Sequence, residues 1–494
     1  MASGDNDRRR SNAGGIPSAS FSPPSRAGVV LWLKPHQLVL GGVPLALIIL
    51  QVVRGQELIR TGNIPLVLLI AVSLIDVNGR SLWQILATRL GFQLRRATGQ
   101  TRWTVSPMAV DSVTSMIDLP GAAGERLRRV NLVDTMFAGA SYLEDLADGT
   151  VTAVLRADAA NWMFAPSRTQ AERAAGFREM QRVTCMLPGV RRVDTQMRCL
   201  MRPAPDDAPG GDGFAERDVR WVREHEMRME PLYDVIIAIT LDRRGIAREV
   251  KAAGGGAKGV SAVLKDRVLK CADMLAKAGI NRGSVVWQGA QMLRGLMKTM
   301  SDPDAWMLLD RYGRLPDDIP VSSAYNVFDD RIQVDRTWST TMWIDRWPGE
   351  EVMAGWLAEL VAGGLNRQVI LTESFRATTR GEEVRDVDNR ISEIDRIIRL
   401  DRRIGREPDP ALEKERHELE SRRRQIGEED AGIRFRGLVT LMASDENTLD
   451  MARSRAIGSM SGQLHFDKMI SQQWEGWLGA LPLGQAGRWP WAAD

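Results

Sequence analysis

The stretch LGGVPLALIILQVVRGQELIRTGNIPLVLLIAVSLIDV, residues 40–77, decides how the rest of the chain is read. Residues 38–53 are apolar apart from Gln51, and residues 64–75 are apolar apart from Ser73. Neither run has the polar face of a surface helix. Each is shorter than the roughly 20 residues that usually cross a bilayer, which suits a buried core hairpin. Tilting and snorkelling flanks can lengthen both, and the short polar connector between them favours a two-span membrane hairpin. Asp76 sits beside Asn78, Gly79 and Arg80, at the headgroup end, where a carboxylate costs little.

Basic residues set the expected orientation. Arg8, Arg9, Arg10, Arg26 and Lys34 precede the first run, and Arg80, Arg89, Arg95, Arg96 and Arg102 follow the second. The connector carries only Arg54 and Arg60, beside Glu57. Both termini and the large domain are therefore expected on the cytoplasmic side of the inner (plasma) membrane. The polar leader is longer than a signal-peptide n-region and no A-x-A site follows, so no cleavage is expected. Residues 1–28, rich in Ser, Gly, Pro and Arg, read as a disordered tail. Residues 29–103 read as the hairpin plus an amphipathic helix with Leu82, Ile85, Leu86, Leu90 and Leu94 on one stripe.

With 494 residues the chain is long enough for two or three domains. Its 66 basic and 63 acidic residues nearly cancel, so no nucleic-acid footprint and no sequence-specific nucleic-acid binding follow from charge. Cys185, Cys199 and Cys271 are far apart, which excludes a disulfide framework and a zinc knuckle and suits a reducing cytosol. The segment HEMRM at 225–229 lacks the second histidine of a metal helix, and no metal site is expected.

From residue 104 to 494 the pattern is that of a cytosolic α/β (α+β) region. The β-branched runs VTAVLRA (151–157), VIIAITLD (235–242), RQVILTESF (367–375) and FRGLVTLMA (435–443) alternate with helical patterns such as KGVSAVLKDRVLKCADMLAKAGI. RPAPDDAPGGDGFAERD at 202–218 is a loop by composition. Over 382–429, Val384, Val387, Ile391, Ile394 and Ile398 form a heptad-like seam among charges, and Leu412, Leu419 and Ile426 resume it after Pro408 and Pro410. This predicts a charged antiparallel helical hairpin, either a solvated arm or a docking arm. Val384, Ile391, Ile394 and Ile398 are its candidate docking residues.

Catalytic signatures are sparse. AAGGGAKGVS at 252–261 places three glycines before Lys258, but a phosphate loop requires Gly-Lys-Ser/Thr, and no Gly-Lys dipeptide occurs. No nucleophile elbow or dinucleotide fingerprint is present. The chain reads as a non-enzyme without cofactors. Fifteen tryptophans cluster partly near the carboxyl end. Trp474 and Trp477 suit a core, whereas Trp489 and Trp491, flanking Pro490, are candidate partner or membrane contacts.

Two regions carry a family resemblance. WLKPHQLVLGGVPLALIIL followed by GRSLWQILATRLGFQLRRATGQTRW resembles the PrgI and TcpE-like hairpin proteins of conjugation systems. RTWSTTMWIDRWPGEEVMAGWLAELV, the charged hairpin, IRFRGLVTLMASDENTLDMARSRAI and QQWEGWLGALPLGQ resemble, in that order, the amino-terminal domain of CagE/TrbE/TraC-type secretion ATPases. The ATPase domain that follows in those proteins is missing before Asp494. The resemblance implies an inner-membrane adaptor of a type IV secretion apparatus, oligomeric, that docks a separate P-loop ATPase to other channel subunits. An EccE-like component of type VII secretion and a membrane-anchored enzyme remain open as alternatives.

Overall fold

The computed structural model describes chiefly residues 63–74, 80–104, 121–158, 166–203, 229–302, 319–348, 352–361, 368–426 and 432–486, with small gaps and a few isolated positions elsewhere. The chain divides into two compact units. One comprises residues 1–21, 99–377 and 434–494; the other comprises 22–98 and 378–433.

The first unit is built on one sheet of 13 strands. In chain order these are β1 (Arg102–Thr104), β2 (Leu127–Asn131), β3 (Ser141–Asp145), β4 (Thr150–Asp158), β5 (Val190–Pro203), β6 (Met229–Asp242) and β7 (Val285–Trp287). There follow β8 (Ala324–Val327), β9 (Ile332–Val334), β10 (Thr337–Arg346), β11 (Gln368–Ala377), β12 (Ile433–Ala443) and β13 (His465–Asp467). The spatial order is β1-β8-β9-β10-β12-β11-β5-β6-β4-β3-β2, with β7 added beside β4 and β13 beside β10. Every ladder whose register is described is antiparallel.

Apart from β1 at one edge, that order reads the same from either end, because the sheet contains one motif twice. The first half runs β4, helix α3 (Ser167–Cys185), β5, β6, helix α4 (Gly256–Lys277), β7. Its strands lie side by side as β7-β4-β6-β5. The second runs β10, helix α6 (Ala358–Val361), β11, β12, helix α9 (Glu446–Ser459), β13, in the order β13-β10-β12-β11. Each is a β-α-β-β-α-β unit of ferredoxin-like type. A short hairpin, β2-β3 or β8-β9, leads into each, and a helix follows each: α5 (Ala290–Ser301) and α10 (Gln473–Ala480). The halves join where β5 runs antiparallel to β11, from Val193 opposite Phe375 to Cys199 opposite Val369.

Register repeats as well. Thr152 faces Thr240 and Thr341 faces Thr440, with hydroxyl oxygens 3.0 Å and 2.9 Å apart. Each pair lies under a glycine of the carboxyl-terminal region, where backbone must approach the sheet closely. A Cβ on Gly484 would stand 2.7 Å from Thr240 Oγ1, and one on Gly476 would stand 2.6 Å from Thr341 Cβ.

Alternation along the strands sends side chains to two faces, each covered by helices. On one face Val154, Ile236, Ala238, Ile370 and Met442 pack with Leu293, Leu296 and Met297 of α5 and Trp477 and Ala480 of α10. Trp477 is fully buried and meets Tyr325 edge-on, and Trp474 stacks on it at 5.6 Å. On the other face Val369, Leu371, Val439 and Leu441 pack with Leu449, Ala452 and Ala456 of α9. There α3 packs on β5, β11 and α4.

The second unit includes α1 (Ile64–Leu74) and α2 (Leu82–Ala97), and the helices α7 (Arg380–Ile404) and α8 (Pro410–Ile426). Here the sequence expectation is corrected. The 11 residues of α1 rise only about 16 Å, against a hydrocarbon core of roughly 30 Å. The chain then turns through a two-strand ladder, Asp76–Val77 against Arg80–Ser81. Among the described residues no helix is long and apolar enough to cross a membrane, so the two-span transmembrane hairpin is not formed. Placement in the inner membrane loses its basis with it. Ile64, Val67 and Leu68 of α1 stand exposed, as do Leu86, Leu90 and Leu94 of α2, whose buried side chain is Phe92.

The α/β expectation is corrected as well, to a large antiparallel sheet. Strands and helices do alternate in the chain, but β6 inserts between β4 and β5 and β12 between β10 and β11, which makes the neighbours antiparallel. The tail expected over 1–28 lies outside the described residues, apart from Ser18–Ala19, which pair with Val352–Met353. Most of the 202–218 loop lies outside them too.

Candidate functional site

The arm between β11 and β12 is formed by α7 and α8. Its start is set by a capping box: the Glu382 backbone N–H donates to Thr379 Oγ1 at 3.3 Å, and the Thr379 N–H donates to the Glu382 carboxylate at 2.9 Å. Gly405 closes α7 in the left-handed conformation, and Pro410 opens α8, where a missing N–H costs nothing. Thr379→Ala should lower the stability of this unit by about 1 kcal/mol, read as a shift in the urea midpoint followed by helical circular dichroism.

Val387, Ile394 and Ile398 are buried in the arm, and Val384 and Ile391 are half-buried. Cross-hairpin ion pairs fix the antiparallel register: Arg423 to Asp388 at 2.7 Å, Arg416 to Asp395 at 2.8 Å, Arg390 to Glu415 at 2.8 Å and Arg402 to Glu413 at 3.5 Å. Such surface pairs add roughly 0.2–1 kcal/mol each, so they select register more than they stabilise. Of the sequence candidates, Ile394 and Ile398 are thus occupied inside the arm. Its exposed surface consists of charges such as Arg385, Arg399, Arg403, Lys414, Glu418 and Arg424, with Leu400 as an apolar point. Trp489 and Trp491 lie outside the described residues.

The glycine-rich loop before α4 has the backbone its sequence suggests. Gly254, Gly255 and Gly256 have φ of +102°, +70° and +52°, values that an L side chain rarely adopts. A shallow cavity of about 260 Å³ opens there, lined by Arg243, Ala247, Val250, Lys251, Gly255 and Gly256. This is below the roughly 300–1,000 Å³ of sites that enclose a small-molecule ligand. Lys258 lies along Gly254, so the loop follows a bend into the helix.

Sequence reasoning missed a set of charged groups built into the sheet. Arg192, Asp194, Gln196 and Arg198 alternate along β5 and share one face. Arg192 donates to the carbonyl of Gly484 through Nε at 2.8 Å, and Gln196 Nε2 donates to the carbonyls of Gly479, Ala480 and Leu481. Asp194 accepts from the Ser374 hydroxyl at 2.5 Å and from the Ala486 N–H at 3.2 Å. Burial raises the Asp194 carboxyl above its ordinary range, against the opposing pull of Arg192. Asp234, on β6, shows the reverse balance: burial alone would raise it, but the Arg198 and Arg156 guanidiniums hold it below the usual carboxylate range.

On the opposite face Glu373 of β11 stands across from Thr195 and near Gln181 of α3. Burial pushes its carboxyl up to about 7, and only the Gln181 amide opposes the shift. The three cysteines are buried and form no disulfide, and burial raises the Cys185 and Cys271 thiols to about 12, which makes them poor nucleophiles. Among the described residues no cluster of three or more His, Cys, Asp or Glu side chains could hold a metal ion. The signal for the sheet charges was the period-two polar row in VRRVDTQMRCLMRP, a pattern that also fits a solvated edge strand.

No family model and no curated protein matches this chain.

Proposed function

We propose that the chain is a non-catalytic docking subunit of a type IV secretion, or conjugative transfer, apparatus, and that the α7–α8 arm recruits a separate P-loop ATPase to other channel subunits. The observation that carries this reading is the construction of the arm. It is inserted between two core strands, its two helices pack on each other, Val387, Ile394 and Ile398 are buried, and it presents a mixed-charge surface around Leu400. A helix pair whose members pack on each other can offer its outer face to a partner without unfolding. Charged surfaces of this kind give orientation and rapid encounter more than raw affinity. The resemblance of residues 336–485 to the amino-terminal domain of secretion ATPases supplies the class of partner.

The test is affinity purification of the tagged full chain from its native cells after mild cross-linking, beside a variant lacking residues 384–428. A CagE/TrbE-type ATPase should accompany the full chain and be lost from the deletion. The Thr378 N–H bond to the Gly432 carbonyl closes the base of the arm, so the deletion should still melt cooperatively. An FtsK-like ATPase recovered instead would move the reading to type VII secretion. Recovery of the same motor with the deleted variant would remove the arm from the docking role.

A further inference from the structure

Toward one end of the first half, charged side chains from three adjacent strands meet on one face of the sheet: Arg156 of β4, Arg198 of β5 and Asp234 of β6. Arg198 donates through Nε and Nη2 to the two oxygens of the Asp234 carboxylate. Arg156 donates to the same carboxylate through Nε at 3.0 Å. Two guanidiniums therefore share one carboxylate, which leaves one positive charge in excess among the described side chains. Among the described residues no second acid pairs with either arginine.

A lysine or a carboxyl in such a place can change its protonation, but a guanidinium keeps its proton at any ordinary pH. Arg198 is 1% exposed, and its third nitrogen, Nη1, is buried and donates to nothing. Its neighbour across the β5–β11 ladder is Ile370, which has no acceptor to offer from its side chain. A buried donor without an acceptor is costly, and an acceptor arriving from outside removes that cost. Arg156 supplies a route, because 31% of its side chain is exposed and only its Nε is engaged.

We propose that Arg156 and Arg198 form a binding site for an oxyanion, the phosphate or carboxylate group of a ligand, with Asp234 fixing the orientation of both guanidiniums. The outer nitrogens of Arg156 and Nη1 of Arg198 donate to it, in the manner by which paired arginines recognise oxyanions. Binding brings the local charge to balance.

The full-length protein is titrated with inorganic phosphate and, separately, with acetate, at constant ionic strength set by chloride. Thermal melting and calorimetry are the readouts. A saturable rise in melting temperature with either probe supports the site, and the stronger probe identifies the group as phosphate or carboxylate. Arg156→Met keeps the Arg198–Asp234 pair and so the fold, and should weaken binding at least about tenfold. The proposal is overturned if neither probe acts beyond the chloride control, or if Arg156→Met responds as the parent does.

Discussion

Asp234→Ala should destabilise the protein by roughly 3–5 kcal/mol, because it strands a fully buried guanidinium. Arg198 is engaged through Asp234 by two of its three nitrogens, and its side chain is shut off from solvent. Replacing the carboxylate with a methyl group leaves two arginines facing each other with nothing between. The measurement is the urea midpoint of parent and variant at neutral pH. Adding Arg198→Met to Asp234→Ala should recover a large part of the loss, since the buried charge then disappears with its partner. A cost below about 1 kcal/mol for the single variant would show that water reaches Arg198 and that the pair is not insulated.

The second large effect is a pH dependence. Glu373 has a folded-state pKa of about 7 against an ordinary value of 4.5. Below the ordinary value the carboxyl is protonated in both states. Between the two values the native protein holds a proton that the unfolded chain has released, so stability falls as pH rises through this window. Above about 7 the loss is complete. The full shift corresponds to roughly 3 kcal/mol, and partial contact with water reduces the expected loss to about 2 kcal/mol. Glu373→Gln keeps the shape and removes the charge. It should be more stable than the parent at pH 8 by about that amount, and should lack the decline between pH 5 and 7. Parallel pH profiles for parent and variant would assign the decline to another group, such as Asp194, whose carboxyl is also raised by burial.

Much of the secondary structure was legible because local pattern alone determines it. VTAVLRA, VIIAITLD, QVILTESF and FRGLVTLMA all lie in strands, and residues 258–277 lie in α4. The charged hairpin could be read from its seam and from Pro408 and Pro410, since heptad spacing and proline act over a few residues. Strand pairing could not. Whether β6 lies beside β5 alone or also beside β4 depends on contacts between residues about 90 positions apart, such as Thr152 and Thr240. The repeat within the sheet left only faint marks, such as the Thr-Leu pairs at 240–241 and 440–441. Residues 40–77 misled for a different reason. Hydropathy reports how apolar a segment is, and α1 ends after 11 residues, where the chain turns into the Asp76–Ser81 ladder.

The polar row on β5 was readable as alternation but not as a site. Arg192, Asp194 and Gln196 find their partners in residues 479–486, and Arg198 finds Asp234 on the next strand. Nothing within β5 distinguishes these groups from side chains facing water.

The bond from Arg192 to Gly484 spans 292 positions, and this distance has a consequence for biosynthesis. The strands of the first half leave the ribosome long before the residues that cover them. At about 5–20 residues per second, Arg192, Asp194 and Gln196 wait roughly 15–60 s for their acceptors and donors. During that interval a sheet face carrying unpaired buried-type charges beside Ile236 and Ala238 is open to solvent and to other nascent chains. The first half is thus completed only after translation has passed residue 486, so the order of synthesis cannot be the order of folding, and a chaperone that shields this face has a defined window in which to act.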